Sequence, residues 1–244
     1  MTSPEIATSP AAGEASVMED IIEIFYAPSR VFARRRDNPR FWAALFILII
    51  LVALGVWVMM RNLSTVMDAE FARQSEAAMR KNPQITPEMM ERGRKMGETL
   101  GPIFAIVGSI VAIFVLGVGV WLVGKLFDST ADLTRGVMIA TFASFPKVID
   151  LLLAAILAMT VGTGSITRMM AAGPSPARFA PADTAPMVLG VLSRLSIGTI
   201  WATILIAIGL HVVGRIPKGR AYAAALILWL VGTAFALFGA IRQG

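Results

Sequence analysis

The chain has 244 residues, of which 56% are hydrophobic and 16% are charged, and its mean hydropathy is +0.71. A soluble domain carries about 25% charged residues, and the shortfall here is concentrated in uncharged stretches of about twenty residues, long enough to cross a bilayer. These values exclude a soluble enzyme and a disordered chain. Cysteine is absent and histidine occurs once, which excludes disulfides, thiolate metal sites and multi-histidine metal sites. We therefore expect no metal and no cofactor.

The N-terminal region precedes the first apolar stretch and divides into a tail and two short helices. Residues 1–15 are small and polar, and we expect them to be disordered. Residues 16–37 carry apolar side chains at helical spacing and are interrupted by Pro28, which indicates two amphipathic helices. These helices either lie at the membrane interface or pack on the cytoplasmic end of the bundle. The residues expected at the interface are apolar or basic: Ile21, Ile22, Phe25, Phe32, Arg34, Arg35 and Arg36.

Five apolar segments predict a membrane domain between residues 38 and 241. The predicted spans are residues 41–60, 102–124, 136–161, 195–213 and 221–241. The predicted fold class is an all-α membrane protein, with a five-helix transmembrane bundle, N-terminal interfacial helices and an extramembrane helical hairpin. An odd number of spans places the two termini on opposite sides of the bilayer.

Basic residues orient the bundle, because cytoplasmic segments next to spans are enriched in lysine and arginine. Ten basic residues flank spans on the side of the N-terminus, and eleven occupy the longer segments on the other side. The first group is denser near the span ends, which predicts a cytoplasmic N-terminus and an outside C-terminus. The net charge of +6 is then a consequence of topology, and we expect no nucleic-acid partner.

The insert between the first two spans, residues 61–101, has the features of the extramembrane helical hairpin. Pro83 ends one helix-forming stretch, and Thr86 with Pro87 starts another that runs to about Thr99. The insert holds seven basic and six acidic residues, so its surface is nearly neutral. It is either a solvated helix pair or a docking surface for an extracytoplasmic partner.

The third predicted span contains a candidate polar site made of Pro146, Lys147 and Asp150. Proline removes a backbone hydrogen bond and kinks a helix. Lys147 and Asp150 are three residues apart, so they share a helix face and can pair. Charges within a membrane are costly and often mark a path for ions or protons. The cluster therefore indicates either a transport path or a structural ion pair.

Small residues recur at four-residue spacing in three spans, a pattern that lets helices approach closely. They are Gly101, Ala105 and Ser109 in the second span, Gly198 and Ala202 in the fourth, and Gly232, Ala236 and Ala240 in the fifth. These residues pack either inside the bundle or between copies of it. The sequence contains no GxxxxGK[ST], GxGxxG or GxSxG pattern. We therefore expect no catalytic residues and no enzyme activity.

Three segments carry a family resemblance. They are residues 27–32 (APSRVF) with 38–42 (NPRFW), residues 126–127 with 140–146 (ATFASFP), and residues 214–221 (GRIPKGRA). Together they resemble the Yip-one-domain family, membrane proteins named for binding Ypt and Rab GTPases in eukaryotes. The resemblance extends over about residues 20–241 and implies a five-span, non-catalytic membrane protein that works through partners.

Two departures from the eukaryotic members shape the functional hypothesis. The insert at 61–101 is longer than expected for them, and the Ala-, Arg- and Met-rich composition is typical of a bacterial inner-membrane protein. Bacteria lack Rab-driven traffic, so GTPase binding is not transferred to this chain. We expect a scaffold or partner-binding organiser of the lipid bilayer, whose partner is a membrane protein or a second copy. The alternative is a transporter or channel component that uses Pro146, Lys147 and Asp150.

Overall fold

The computed structural model describes residues 16–62, 64–161, 173–181 and 183–243, and the regular elements in these residues are all helical. In chain order the helices are α1 (Val17–Glu23), α2 (Pro28–Asp37), α3 (Trp42–Asn62), α4 (Ser64–Lys81), α5 (Pro87–Leu126), α6 (Leu133–Ala143), α7 (Phe145–Val161), α8 (Pro186–Ser193), α9 (Ile197–Val212) and α10 (Lys218–Gln243). A short 3-10 helix at Pro176–Phe179 precedes α8. The predicted all-α class is confirmed, and the predicted disordered tail at 1–15 lies outside the described residues.

Four helical segments of the described chain are long and apolar enough to cross a membrane: α3, α5, the consecutive pair α6 and α7, and α10. A fifth span is present if α8 and α9 are counted together, as one span bent by 53°. The third span is interrupted at Ser144, two residues before Pro146, as expected for a helix that contains proline. The sequence therefore predicts the order of the apolar segments, while the third is interrupted at Ser144 and the fourth is bent between α8 and α9.

The centre of the bundle is α6, which is buried along its length from Gly136 to Ala143. Two glycine contacts bring its neighbours close. A Cβ added at Gly136 would lie 2.7 Å from the carbonyl oxygen of Gly117 on α5, and one added at Gly209 on α9 would lie 2.7 Å from Ile139. A helix surrounded by apolar neighbours on every side is expected to be apolar all round, and the sequence of α6 fits this position.

We call the end of the bundle that carries α1 and α2 the proximal end, and the opposite end the distal end. Here α2 packs on α9 and contributes Val31 and Phe32, both fully buried, to the core. Two connecting loops also meet at this end, because the backbone N–H of Thr130 donates to the carbonyl oxygen of Gly214 at 3.0 Å. The proximal end is therefore a folded layer joined to the bundle.

The extramembrane hairpin consists of α4 and the first part of α5. Thr86 caps α5 and Pro87 occupies its first position. The helix then continues through Pro102, so the hairpin arm and the second span form one helix of 40 residues, about 60 Å long. The predicted end of this arm at the membrane surface is absent. Arg94 lies 3.7 Å from Asp68 of α4 and links the two arms.

Candidate functional site

At the proximal end, the acidic residues of α1 face the arginines of α2. Asp20 is fully buried, and its carboxylate accepts hydrogen bonds from Arg34 Nε (3.1 Å), Arg34 Nη2 (2.5 Å) and Arg35 Nε (2.5 Å). Glu23 is also buried, pairs with Arg34, and lies 3.4 Å from Arg30 Nη1. Two carboxylates are thus surrounded by three guanidinium groups, in what we call the proximal ion network.

The local sequence places these groups on facing helices. Ser16 caps α1 by accepting the N–H of Glu19 at 3.1 Å, and Pro28 starts α2 directly after the turn that follows α1. The hydrogen bond from Arg34 lowers the pKa of the Glu23 carboxyl below its usual value, so Glu23 is ionised and paired at neutral pH. Removing one partner from a buried ion pair costs about 3–5 kcal/mol, so the network fixes α1 against α2.

The apolar residues predicted at the membrane interface occupy both sides of α1 and α2. Ile21 and Phe32 face the bundle and are buried, and Phe25 packs against the same core. Ile22 faces outward. Met18 and Ile22 of α1 and Tyr26 in the turn after it are exposed and follow one another at four-residue spacing. Because such a stripe suits the headgroup boundary of a bilayer, it remains a candidate membrane contact.

The three arginines predicted at the interface also have different surroundings. Arg34 and Arg35 are partly buried in the proximal ion network. Arg36 lies 3.3 Å from the exposed carboxylate of Asp37. The carbonyl oxygen of Arg36 accepts a hydrogen bond from Arg135 Nε at 2.7 Å, which satisfies a backbone group at the C-terminus of α2. The arginine run thus stabilises the proximal layer as well as giving it positive charge.

At the distal end, α7 meets the break between α8 and α9. Both oxygens of Asp150 accept the backbone N–H of Gly198 in the first turn of α9, at 3.0 and 3.1 Å. A Cβ added at Gly198 would lie 2.4 Å from the carbonyl oxygen of Pro146 and 2.5 Å from Asp150 Oδ2, so a larger residue does not fit there. A carboxylate at a helix N-terminus also interacts favourably with the helix dipole.

Lys147 and Asp150 belong to a larger group than the sequence indicates. No described ion pair joins the two, and the charges that act on the Lys147 ammonium are those of Asp150 and Arg194. Arg194 follows the last residue of α8, and its Nε lies 3.5 Å from Thr233 Oγ1 of α10. The indole N–H of Trp229 donates to the Arg194 carbonyl oxygen at 3.4 Å. Lys147, Asp150 and Arg194 together form what we call the distal cluster.

The depth of the distal cluster follows from its neighbours on α3. A Cβ added at Gly55 would lie 2.6 Å from the side chain of Leu151, so the residue next to Asp150 lies level with Gly55. Two residues further along α3, about 3 Å of rise, Trp57 is exposed and carries the Arg61 guanidinium 5.1 Å from its ring centroid. Tryptophan and arginine are typical of the boundary between lipid and water. The distal cluster therefore lies near Trp57 and Arg61, and α7 continues past it to Val161.

The predicted packing residues of α10 lie in different environments. Gly232 faces the distal cluster, because a Cβ added there would lie 3.0 Å from Arg194 Nη2. Ala236 is exposed. The side chain of Ala240 lies outside the described part of the chain. Gly232 therefore packs inside the bundle, and Ala236 is available to lipid or to another helix.

On α5, small residues form a longer stripe than the sequence analysis identifies. Gly93, Gly97, Gly101, Ala105 and Ser109 follow one another at four-residue spacing, and we call this surface the glycine face. A Cβ added at any of these three glycines would meet no atom within 4 Å. Other glycines in the bundle contact a neighbouring helix: Gly55, Gly117, Gly136, Gly198 and Gly209. The glycine face is thus unused in the packing of the described chain.

Some contacts in these two sites join residues that are far apart in the sequence, so the sequence does not predict them. Asp150 and Gly198 are 48 residues apart, and Asp20 and Arg34 are 14 apart, so neither pair shows a helical spacing. The acidic residues of α1 and the arginines of α2 have opposite charges, and this pattern in the sequence indicates the proximal ion network. Among the residues that the structure describes, no three histidine, aspartate or glutamate side chains are grouped to hold a metal ion.

Comparisons with known proteins agree with the membrane architecture. A family model described as "Yip1 domain" matches residues 22–240, a region that includes all of α2, the distal cluster and every candidate span. The chain is similar to "Membrane protein YknW" of Bacillus subtilis (strain 168), with 27% identity over 231 residues, which covers 94% of each chain. No solved structure matches the chain.

Proposed function

This chain belongs to the Yip1 domain family of membrane proteins, and we propose that it is a non-catalytic scaffold that binds another membrane helix along α5. The observation that carries the proposal is the glycine face, which the rest of the described chain leaves uncovered. Glycine destabilises a helix interior by about 1 kcal/mol relative to alanine. Repeated glycines at four-residue spacing are favourable when a second helix packs closely against them.

The position of the glycine face defines the kind of partner. It starts in the extramembrane part of α5 and enters the membrane beyond Pro102, over about 24 Å from Gly93 to Ser109. The partner is therefore a helix that crosses the bilayer and continues past its surface. A second copy of α5 has this form. Arg94 is already neutralised by Glu91 and Glu98 of its own helix, so a parallel pair brings together surfaces of mixed charge.

The orientation in the membrane follows from the charge of the proximal end. Exposed basic residues there are Arg30, Arg40, Lys125, Arg215, Lys218 and Arg220. Because positive charge near span ends favours the cytoplasmic side, the proximal end faces the cytoplasm and the extramembrane hairpin faces outward. The similarity to a membrane protein of Bacillus supports a bacterial plasma membrane as the location.

The test replaces two glycines on this side of α5 by leucine. Gly97 belongs to the glycine face and Gly108 lies about three helical turns further on the same side of α5, and a Cβ added at either meets no atom within 4 Å. We expect the wild type, extracted mildly from its host, to appear as a dimer in native mass spectrometry and the double variant as a monomer. The control Ala223→Leu adds the same side chain at an exposed position of α10 and should keep the dimer.

Two other results would change the proposal. A wild type that is monomeric and free of other protein would contradict the scaffold function. A stoichiometric complex with a different protein, lost in the Gly97→Leu and Gly108→Leu double variant, would keep the function and replace the second copy as the occupant of the glycine face.

A second candidate function is that of a transporter or channel component. It is favoured by the 53° bend between α8 and α9, which lies beside the distal cluster, since broken membrane helices often carry ion and substrate sites. On this hypothesis Asp150→Asn abolishes a pH- or ion-dependent flux in liposomes, while Asp183→Asn, at an exposed loop position, preserves it. A wild type without any such flux would exclude this function.

A further inference from the structure

The distal cluster holds more positive charge than its own residues neutralise. Lys147 lies within electrostatic range of both Asp150 and Arg194, and Asp150 caps α9 by accepting the N–H of Gly198, four residues after Arg194. From residue 133 to residue 243 the sequence offers one other carboxylate, Asp183, and it lies in an exposed loop. Uncompensated charge inside a membrane is costly. The cluster is therefore a place where an additional negative charge would be stabilised.

The two cations have donors available for such a charge. In the described part of the chain, the hydrogen bond made by the Arg194 guanidinium is the long one to Thr233 Oγ1, at 3.5 Å. A guanidinium has five N–H donors and an ammonium has three. Lys147 and Arg194 are partly rather than fully buried, so both can be reached. A ligand group with several anionic oxygens matches these donors better than a single carbonyl does.

The break between α8 and α9 carries exposed apolar side chains beside the cluster. Leu195 and Ile197 are exposed on either side of the buried Ser196, so apolar surface lies next to Arg194. The cluster also lies near Trp57 and Arg61 on α3. These residue types favour the region of a bilayer where the hydrocarbon meets the phosphate groups. A lipid can therefore present a phosphate to the cluster while its chains contact the apolar surface.

We propose that the distal cluster binds a phosphate group between Lys147 and Arg194. A phospholipid of the distal leaflet supplies this group from within the membrane, and a soluble phosphate supplies the same chemistry from the aqueous side. The inference is independent of the scaffold function, because it uses no residue of α5. Its failure would leave the glycine face unaffected, and the reverse is also true.

The test measures binding to the purified, delipidated protein by native mass spectrometry. The probes are phosphatidylglycerol, a diacylglycerol with the same chains but no phosphate, and inorganic phosphate. We expect the wild type to bind one phosphatidylglycerol about tenfold more tightly than diacylglycerol, a difference of roughly 1.4 kcal/mol in binding free energy. The double variant Lys147→Gln and Arg194→Gln should lose this preference. Lys218→Gln, which removes one charge from the proximal end, should keep it.

A further variant is expected to bind phosphatidylglycerol more tightly than the wild type, which a misfolded protein would not do. Asp150→Asn keeps an oxygen for the N–H of Gly198 and removes the negative charge that competes with the ligand, so phosphatidylglycerol binding should strengthen. Circular dichroism would confirm that each variant is helical.

Each outcome of these binding measurements either supports or overturns the phosphate site. Saturable binding of inorganic phosphate that is lost in the double variant would support the site and identify a soluble source. A wild type without preference for the phosphate-bearing lipid and without phosphate binding would overturn the proposal. So would a preference that persists in the folded double variant, or weaker binding in Asp150→Asn.

Discussion

Asp20 and Asp150 illustrate two ways in which the chain accommodates a carboxylate away from bulk water. Asp20 is fully buried and is balanced by Arg34 and Arg35. Asp150 directs both oxygens to the N–H of Gly198 and neutralises the start of α9. In each case the carboxylate fixes one helix against another, so its substitution tests helix packing as well as charge.

The substitution Asp20→Asn should destabilise the protein strongly. It leaves Arg34 and Arg35 without their shared buried carboxylate, and breaking a buried pair in this way costs about 3–5 kcal/mol. The measurement is thermal unfolding in detergent. The control is Asp37→Asn, whose side chain is 75% exposed beside Arg36 and whose loss should have little effect on stability. Equal effects of the two substitutions would contradict a structural role for the proximal ion network.

Glu23 should make the stability of the proximal layer depend on pH. Arg34 lowers the pKa of its carboxyl below the usual 4.5, so its contribution is present above that value and is lost as the pH falls through the folded-state pKa. We expect the gap in thermal midpoint between the wild type and Glu23→Gln to shrink as the pH is lowered. The control is Glu19→Gln at an exposed site of α1. A gap that stays constant would show that Glu23 is not paired.

At the scale of the elements, the helices differ in how closely they approach one another. α7 and α9 meet at Gly198, where no space remains for a side chain, whereas Gly97 on α5 faces open space. The same residue type therefore has opposite consequences at the two positions. At position 198 the close contact between α7 and α9 requires glycine. At position 97 glycine lowers the helix propensity, and no contact within the described chain requires it.

Gly198→Ala and Gly97→Ala form a matched pair of tests. The first places a Cβ 2.4 Å from the Pro146 carbonyl oxygen and should destabilise by about 1–3 kcal/mol through overpacking. The second relieves the helix penalty of glycine and should stabilise the monomer by up to about 1 kcal/mol. Thermal unfolding of both variants in detergent measures the effects. A neutral Gly198→Ala would mean that α7 and α9 are not in close contact.

At the scale of the whole molecule, the sequence predicts those features that depend on neighbouring residues. The all-α class and the five apolar segments follow from local hydropathy, and the resemblance to the Yip-one-domain family is confirmed by the match over residues 22–240. Features that depend on distant residues are not predicted. Arg194 lies at the bend before α9, within electrostatic range of Lys147, and α5 continues through Pro102, although proline removes a backbone hydrogen bond and usually ends or kinks a helix.

The measurement that most directly tests the central claim is photo-crosslinking from the glycine face in intact membranes. The chain has no cysteine, so Gly97→Cys provides a unique attachment point for a thiol-reactive photo-crosslinker, and Ala223→Cys on α10 provides the control. The account predicts a single adduct of twice the monomer mass from Gly97, identified by mass spectrometry, and none from Ala223. An unmodified monomer from Gly97, or equal adducts from both positions, would contradict it.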